Sequence, residues 1–171
     1  MNDTMKNILR FVALVLVQVL VINYIKIGGY VSPYVYPLFI MLLPIGYSQA
    51  GMLILAFLLG LSIDIFCGTL GLHAGAVTLM AFSRPAIIKL VSGSQKIDPI
   101  KEPNLYTMGF DWWLRYSFVM MTIHSLTLFL LESFTLKLIW QTLLRTVISL
   151  PISLFLITII LYLFSSNKRR D

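Results

Sequence analysis

The chain has 171 residues, 58% hydrophobic and only 12% charged, whereas soluble domains carry about 25% charged residues. That excludes a water-soluble globular domain and makes lipid the solvent to reason from. The net charge of +6 is scattered between apolar stretches, not gathered on one stripe, which argues against nucleic-acid binding and for a role in membrane topology.

A membrane span needs about 20 apolar residues. Runs of this kind lie near 8–25, 34–47, 50–67, 72–90, 113–131 and 138–164. They predict an all-α polytopic transmembrane bundle of about six spans, a single membrane domain over 1–171. The first run follows Lys6 and Arg10. It is long for the apolar part of a signal peptide, and no small-x-small site follows Asn23-Tyr24-Ile25-Lys26, so it reads as an uncleaved span. The second run is short and contains Pro33, Pro37 and Pro44. It reads as a re-entrant or broken helix, tolerated only where neighbouring protein satisfies the freed backbone groups.

The third run carries Asp64, the one carboxylate deep in an apolar stretch, where insertion costs about 2.5 to 3.5 kcal/mol. Ala56, Gly60, Asp64 and Gly68 recur every four positions, which places them on one helix face able to approach another helix closely. Gly71 and Gly75 add a GxxxG across the following turn. The long polar stretch 92–111, with Gly93, Pro99, Pro103 and Gly109, reads as a solvated loop with no room for a catalytic domain.

In the fifth run His124 lies near Ser117, Thr122 and Ser125. A proton relay or metal ligand is conceivable there, but with one other histidine and a lone Cys67 the expectation is a hydrogen-bonded packing residue. Met120 and Met121 read as adaptable core filling. The last run carries Thr142, Thr146, Ser149 and Ser153 at helical spacing beside Pro151, a polar packing face with a kink. Trp112, Trp113 and Trp140 border apolar runs, as in an aromatic belt at headgroup level.

Charge sets the orientation. With six spans, Lys6, Arg10, Arg84, Lys89, Lys96, Lys101, Arg115, Lys168, Arg169 and Arg170 fall on one side and only Lys26 and Lys137 on the other. The first side is then cytoplasmic, with both termini there. Asp64 would lie about 22 Å along the third span and Arg145 about 12 Å from the outer end of the last, at 1.5 Å per residue. Arg145 can snorkel outward from there. This predicts an outer-half polar cluster of Asp64, His73, Glu132 and Arg145 with an Asp64–Arg145 pair. Such a pair serves either as a structural ion pair fixing helix register or as a partner-docking or ligand site. The sequence shows no phosphate-cradling loop, no His-Glu-x-x-His, no paired-carboxylate motif and no serine with a base. It therefore predicts no enzyme, no cofactor and no metal.

The segment Leu43-Pro44, then Phe57-Leu58-Leu59-Gly60-Leu61-Ser62-Ile63-Asp64-Ile65-Phe66, then Gly68-Thr69-Leu70-Gly71-Leu72-His73-Ala74 resembles the signature of the MreD family of bacterial rod shape-determining membrane proteins. The shared pattern is an apolar helix with Gly, three residues, Asp, and a Gly-rich turn. Outside residues 44–82 the resemblance is one of pattern and length. It implies a non-enzymatic inner-membrane subunit of the cell-wall elongation complex. The implied partners are an MreC-like bitopic protein, an elongation transpeptidase and a RodA-type glycosyltransferase. It also implies likeness to the six-helix substrate-binding subunits of energy-coupling-factor vitamin transporters, which supplies the alternative function. Against that alternative, the first span offers only Ala13 where those subunits show a small-residue docking motif. An intramembrane enzyme or proton channel around Asp64 and His124 lacks a second acid and a continuous polar path.

Overall fold

The computed structural model describes residues 3–24, 32–94, 97–99, 101–133 and 139–165. Among them the chain is helical and has no strands. Helices α1 (Asp3–Leu20), α3 (Gln49–Cys67), α4 (Leu72–Ser92), α6 (Phe110–Ser133) and α7 (Ile139–Ser165) are long. Two single-turn helices, α2 (Leu38–Met41) and α5 (Leu105–Met108), lie in the connections. The five long helices all have the length and apolarity to cross a membrane, which makes this a multi-pass membrane protein. Their bounds lie close to the expected runs, α1 excepted, which starts early enough to include Lys6 and Arg10.

Each boundary has a local cause. Ser48 caps α3 by accepting the Gly51 N–H, one of the donors a helix start leaves unpaired. Gly68 ends α3 in the left-handed region, at φ 68°, and Gly71 opens α4 at φ 79°. These backbone angles are strained for residues with a Cβ. Asn104 and Thr107 cap α5 reciprocally.

The helices stack in the order α1, α3, α4, α6, α7. Asn23, just past the end of α1, donates to the Cys67 sulfur at the end of α3 across 3.1 Å. The two helices are therefore parallel, and residues 32–47 between them run back from the start of α4 to the loop that holds Pro99. This segment is largely irregular, with only the turn of α2 inside it. Far from lying outside, Val35, Tyr36, Leu38, Phe39, Ile40, Met41 and Leu43 are buried and help form the core with Met52, Leu59, Val77, Met80, Trp113 and Met120. At its upper end Tyr34 lies edge-on to His73 at the start of α4. At its lower end the Gly46 N–H donates to the Pro99 carbonyl across 2.8 Å. The expected broken second span is thus a buried, mostly non-helical strap.

Two of the three tryptophans expected in an aromatic belt lie in the core instead. Trp140 is 71% exposed, but Trp112 and Trp113 are core residues that donate to Ser92 and Thr158 respectively.

Candidate functional site

An acidic and a strongly basic side chain, Asp64 and Arg84, are buried in the bundle, and backbone groups supply half of the partners of the first and most of those of the second. Asp64, 2% exposed, sits one turn before the end of α3. Its Oδ1 accepts from the Thr69 hydroxyl at 2.5 Å, the His73 N–H at 3.1 Å and His73 Nδ1 at 3.0 Å. Its Oδ2 accepts from the Ala74 N–H at 2.9 Å. The carboxylate therefore caps the N-terminus of α4 from the preceding helix, where unpaired N–H groups and the helix dipole favour negative charge. Four residues earlier, a Cβ on Gly60 would stand 2.3 Å from the Ala74 Cα, so only glycine lets α3 approach this closely. Ala56 is also buried.

The small-residue stripe of α3 is thus spent on its own neighbour. Gly68 and Gly71 are exposed, and their role is the turn. Gly75 is exposed too, its missing side chain facing Leu131 of α6 at 3.2 Å. The Gly71–Gly75 pair does not form a helix-packing face, because Gly71 is spent on the N-cap of α4. Pro44 lies toward the lower end of the strap, and its carbonyl accepts from Arg84.

The expected outer cluster divides into two pairs. Asp64 takes His73, while Arg145 takes Glu132 at 2.9 Å and lies over the Phe129 ring, 4.5 Å from its centroid. Among the described residues no Asp64–Arg145 ion pair forms. The reason is geometric: the α4 start lies within ten residues of Asp64 and supplies its donors. Next to the first pair Tyr34, Tyr36, His73 and His124 form a ring cluster with neighbouring centroids 5.2 to 6.3 Å apart. His124 Nε2 is 2.6 Å from the Tyr36 hydroxyl, a hydrogen-bonded and fully buried core residue.

Sequence reasoning misplaced one residue and passed over another. Arg84 was expected among the cytoplasmic anchors. It is 1% exposed, in the core. Its guanidinium donates to the carbonyls of Met41, Leu43 and Pro44 and, through Nε, to the Tyr116 hydroxyl at 2.9 Å. Tyr116 in turn donates to the Met41 carbonyl. A five-donor planar fork is suited to gathering several carbonyls. Gln18 of α1 was not singled out at all. Its Oε1 accepts from the Val35 N–H at 2.8 Å, and its Nε2 donates to the Pro33 carbonyl. A lone glutamine amid valines and leucines was the signal available. Ser149 and Ser153, from the polar stripe of α7, accept from the N–H groups of Ser32 and Tyr34 at 3.1 and 2.9 Å. They serve the strap more than helix packing.

At the lower end Glu102 bonds Lys6 and, at 3.1 Å, Arg10 of α1. Burial pushes the Glu102 carboxyl up, but the Lys6 hydrogen bond and the two cations outweigh it and hold the carboxyl below its ordinary value. The Ile45 and Gly46 N–H groups donate to Lys101 and Pro99 of the same loop, so this loop clasps both α1 and the strap. No group of three or more His, Cys, Asp or Glu able to hold a metal occurs among the described residues. Compared with protein-family models, curated proteins and solved structures, the chain matches none.

Proposed function

We propose that this chain is an MreD-type subunit of the bacterial cell-wall elongation complex, a non-enzymatic organiser in the inner membrane. The observation that carries the reading is the Gly60-x3-Asp64-x3-Gly68-x2-Gly71 segment. Each of its residues meets a physical requirement: close approach, helix capping or left-handed backbone. Counting the strap as a crossing gives six passes and puts both termini on one side. The excess of Lys and Arg assigns that side to the cytoplasm.

In this reading the protein acts by helix packing within lipid, where close van der Waals fit and polar contacts replace the hydrophobic effect. The Ala56–Gly60–Asp64 face is occupied by α4. The partners, an MreC-like bitopic protein, the transpeptidase and a RodA-type glycosyltransferase, would therefore meet outward faces such as Ile54, Phe57 and Ile65 of α3. Depletion from a rod-shaped host tests the proposal: cells should round up, and the chain should co-purify with a one-span periplasmic coiled-coil protein. Retained rod shape with a new vitamin requirement would replace it with the transporter-subunit reading.

A further inference from the structure

A groove of about 570 Å³ opens where α4 ends and α6 begins, lined by Leu90, Gly93, Phe110, Asp111, Trp112 and Arg115 among others. That volume lies within the range of about 300–1,000 Å³ common to ligand pockets. Both helices are membrane spans, so the groove stands at headgroup height. Leu90 and Phe110 on its wall are large exposed apolar residues and continue it onto the acyl-facing surface. Its floor is firm, because Trp112 is buried, stacks on Tyr116 at 4.8 Å and donates to Ser92 at 3.1 Å.

Arg115 and Asp111 lie at the mouth 2.6 Å apart, with side chains 59% and 82% exposed. They present both signs of charge side by side. We infer that this groove binds the phosphoethanolamine headgroup of a membrane phospholipid. The phosphate lies toward Arg115, which can grip it with two N–H groups. The primary ammonium lies toward Asp111, to which it donates hydrogen bonds. A purely anionic headgroup would meet repulsion from Asp111, and a quaternary choline has no N–H to donate. The inference needs only that the chain sits in a membrane, so it stands or falls separately from the cell-shape reading.

The full chain, delipidated in detergent and incubated with equal amounts of phosphatidylethanolamine, phosphatidylglycerol or phosphatidylcholine, provides the test by native mass spectrometry. Phosphatidylethanolamine should be retained about fivefold over the other two, the scale of one exposed charge-assisted contact. Asp111→Asn and Arg115→Gln should each abolish that preference. Both residues are exposed, so unchanged helical content by circular dichroism is expected and shows that the loss is not unfolding. Equal retention of the three lipids would mean generic annular lipid and overturn the inference. So would a preference for phosphatidylglycerol, or a phosphatidylethanolamine preference that survives both substitutions.

Discussion

Asp64 near the C-terminal end of α3 and Arg84 within α4 solve one problem in opposite ways. Each is a charge buried in a membrane domain, where isolation is expensive. Among the described residues no Lys or Arg pairs with Asp64 and no Asp or Glu pairs with Arg84, and the ring partner of Asp64 is His73. Asp64 collects backbone N–H groups at a helix start, and Arg84 collects backbone C=O groups where a helix has just stopped. The donors of Asp64 are five to ten residues away in sequence, whereas the acceptors of Arg84 are about forty away. The first charge makes a local turn. The second makes an irregular strap tolerable inside a membrane bundle, since backbone at that depth must be satisfied by protein.

The comparison is broken most severely by removing Arg84. Arg84→Met takes the guanidinium donor from the buried Leu43 carbonyl and one of two donors from the carbonyls of Met41 and Pro44, which keep Tyr116 and Tyr47, at about 1.5–3 kcal/mol for each hydrogen bond lost to a charged group. The variant should therefore lose most of its folded population in a detergent unfolding titration. Arg84→Lys should fall between, because an ammonium cannot span the same acceptors. Wild-type stability in Arg84→Met would erase the contrast.

Next in size is Gly60→Ala, whose methyl meets α4 backbone with nothing flexible to yield. Overpacking of this kind costs about 1–3 kcal/mol, visible as a lower melting temperature in detergent. Asp64→Ala should cost about 1–2 kcal/mol, as loss of a helix cap does. Asp64→Asn should recover part of it, since its amide oxygen still accepts. If Asn were as damaging as Ala, the carboxylate's role would be its charge and not its capping.

The smallest effect belongs to the clasp. Glu102→Gln should weaken the bundle by under about 1 kcal/mol, the scale of partly exposed ion pairs. It should also flatten the acid dependence of stability. A carboxyl held below its ordinary value of 4.5 stabilises the fold fully above that pH and progressively less as pH falls through the lowered folded value. Wild type should therefore lose stability there relative to Glu102→Gln when both are titrated in detergent.

The same contrast explains what was legible in the sequence. Apolar length located the five long helices, and the Pro33, Pro37 and Pro44 spacing marked the break between α1 and α3. The Gly-rich turn after Asp64 was legible because its residue types are restrictive, whereas the capping of α4 by Asp64 was not read. Arg84, inside the 72–90 run, was counted with the cytoplasmic-side charges because hydropathy takes a cation near a span end for an anchor. Nothing local shows that carbonyls of a distant strap surround it. The serine stripe of α7 was visible as a stripe, but its hydrogen-bond partners lie about 117 to 119 residues away. The Asp64–Arg145 pair was expected from depth alone. Depth does not fix which neighbour is nearest when a helix start is at hand.

The proposed six-pass topology requires the strap to traverse the membrane between α1 and α3. Single cysteines at Tyr24 and Tyr47, both exposed and flanking that traverse, in a Cys67→Ser background, can be labelled in intact spheroplasts with a membrane-impermeant thiol reagent. Tyr24→Cys should react from outside and Tyr47→Cys only after the membrane is opened. Reaction of both from the same side would show that the strap turns back without crossing and would contradict this architecture.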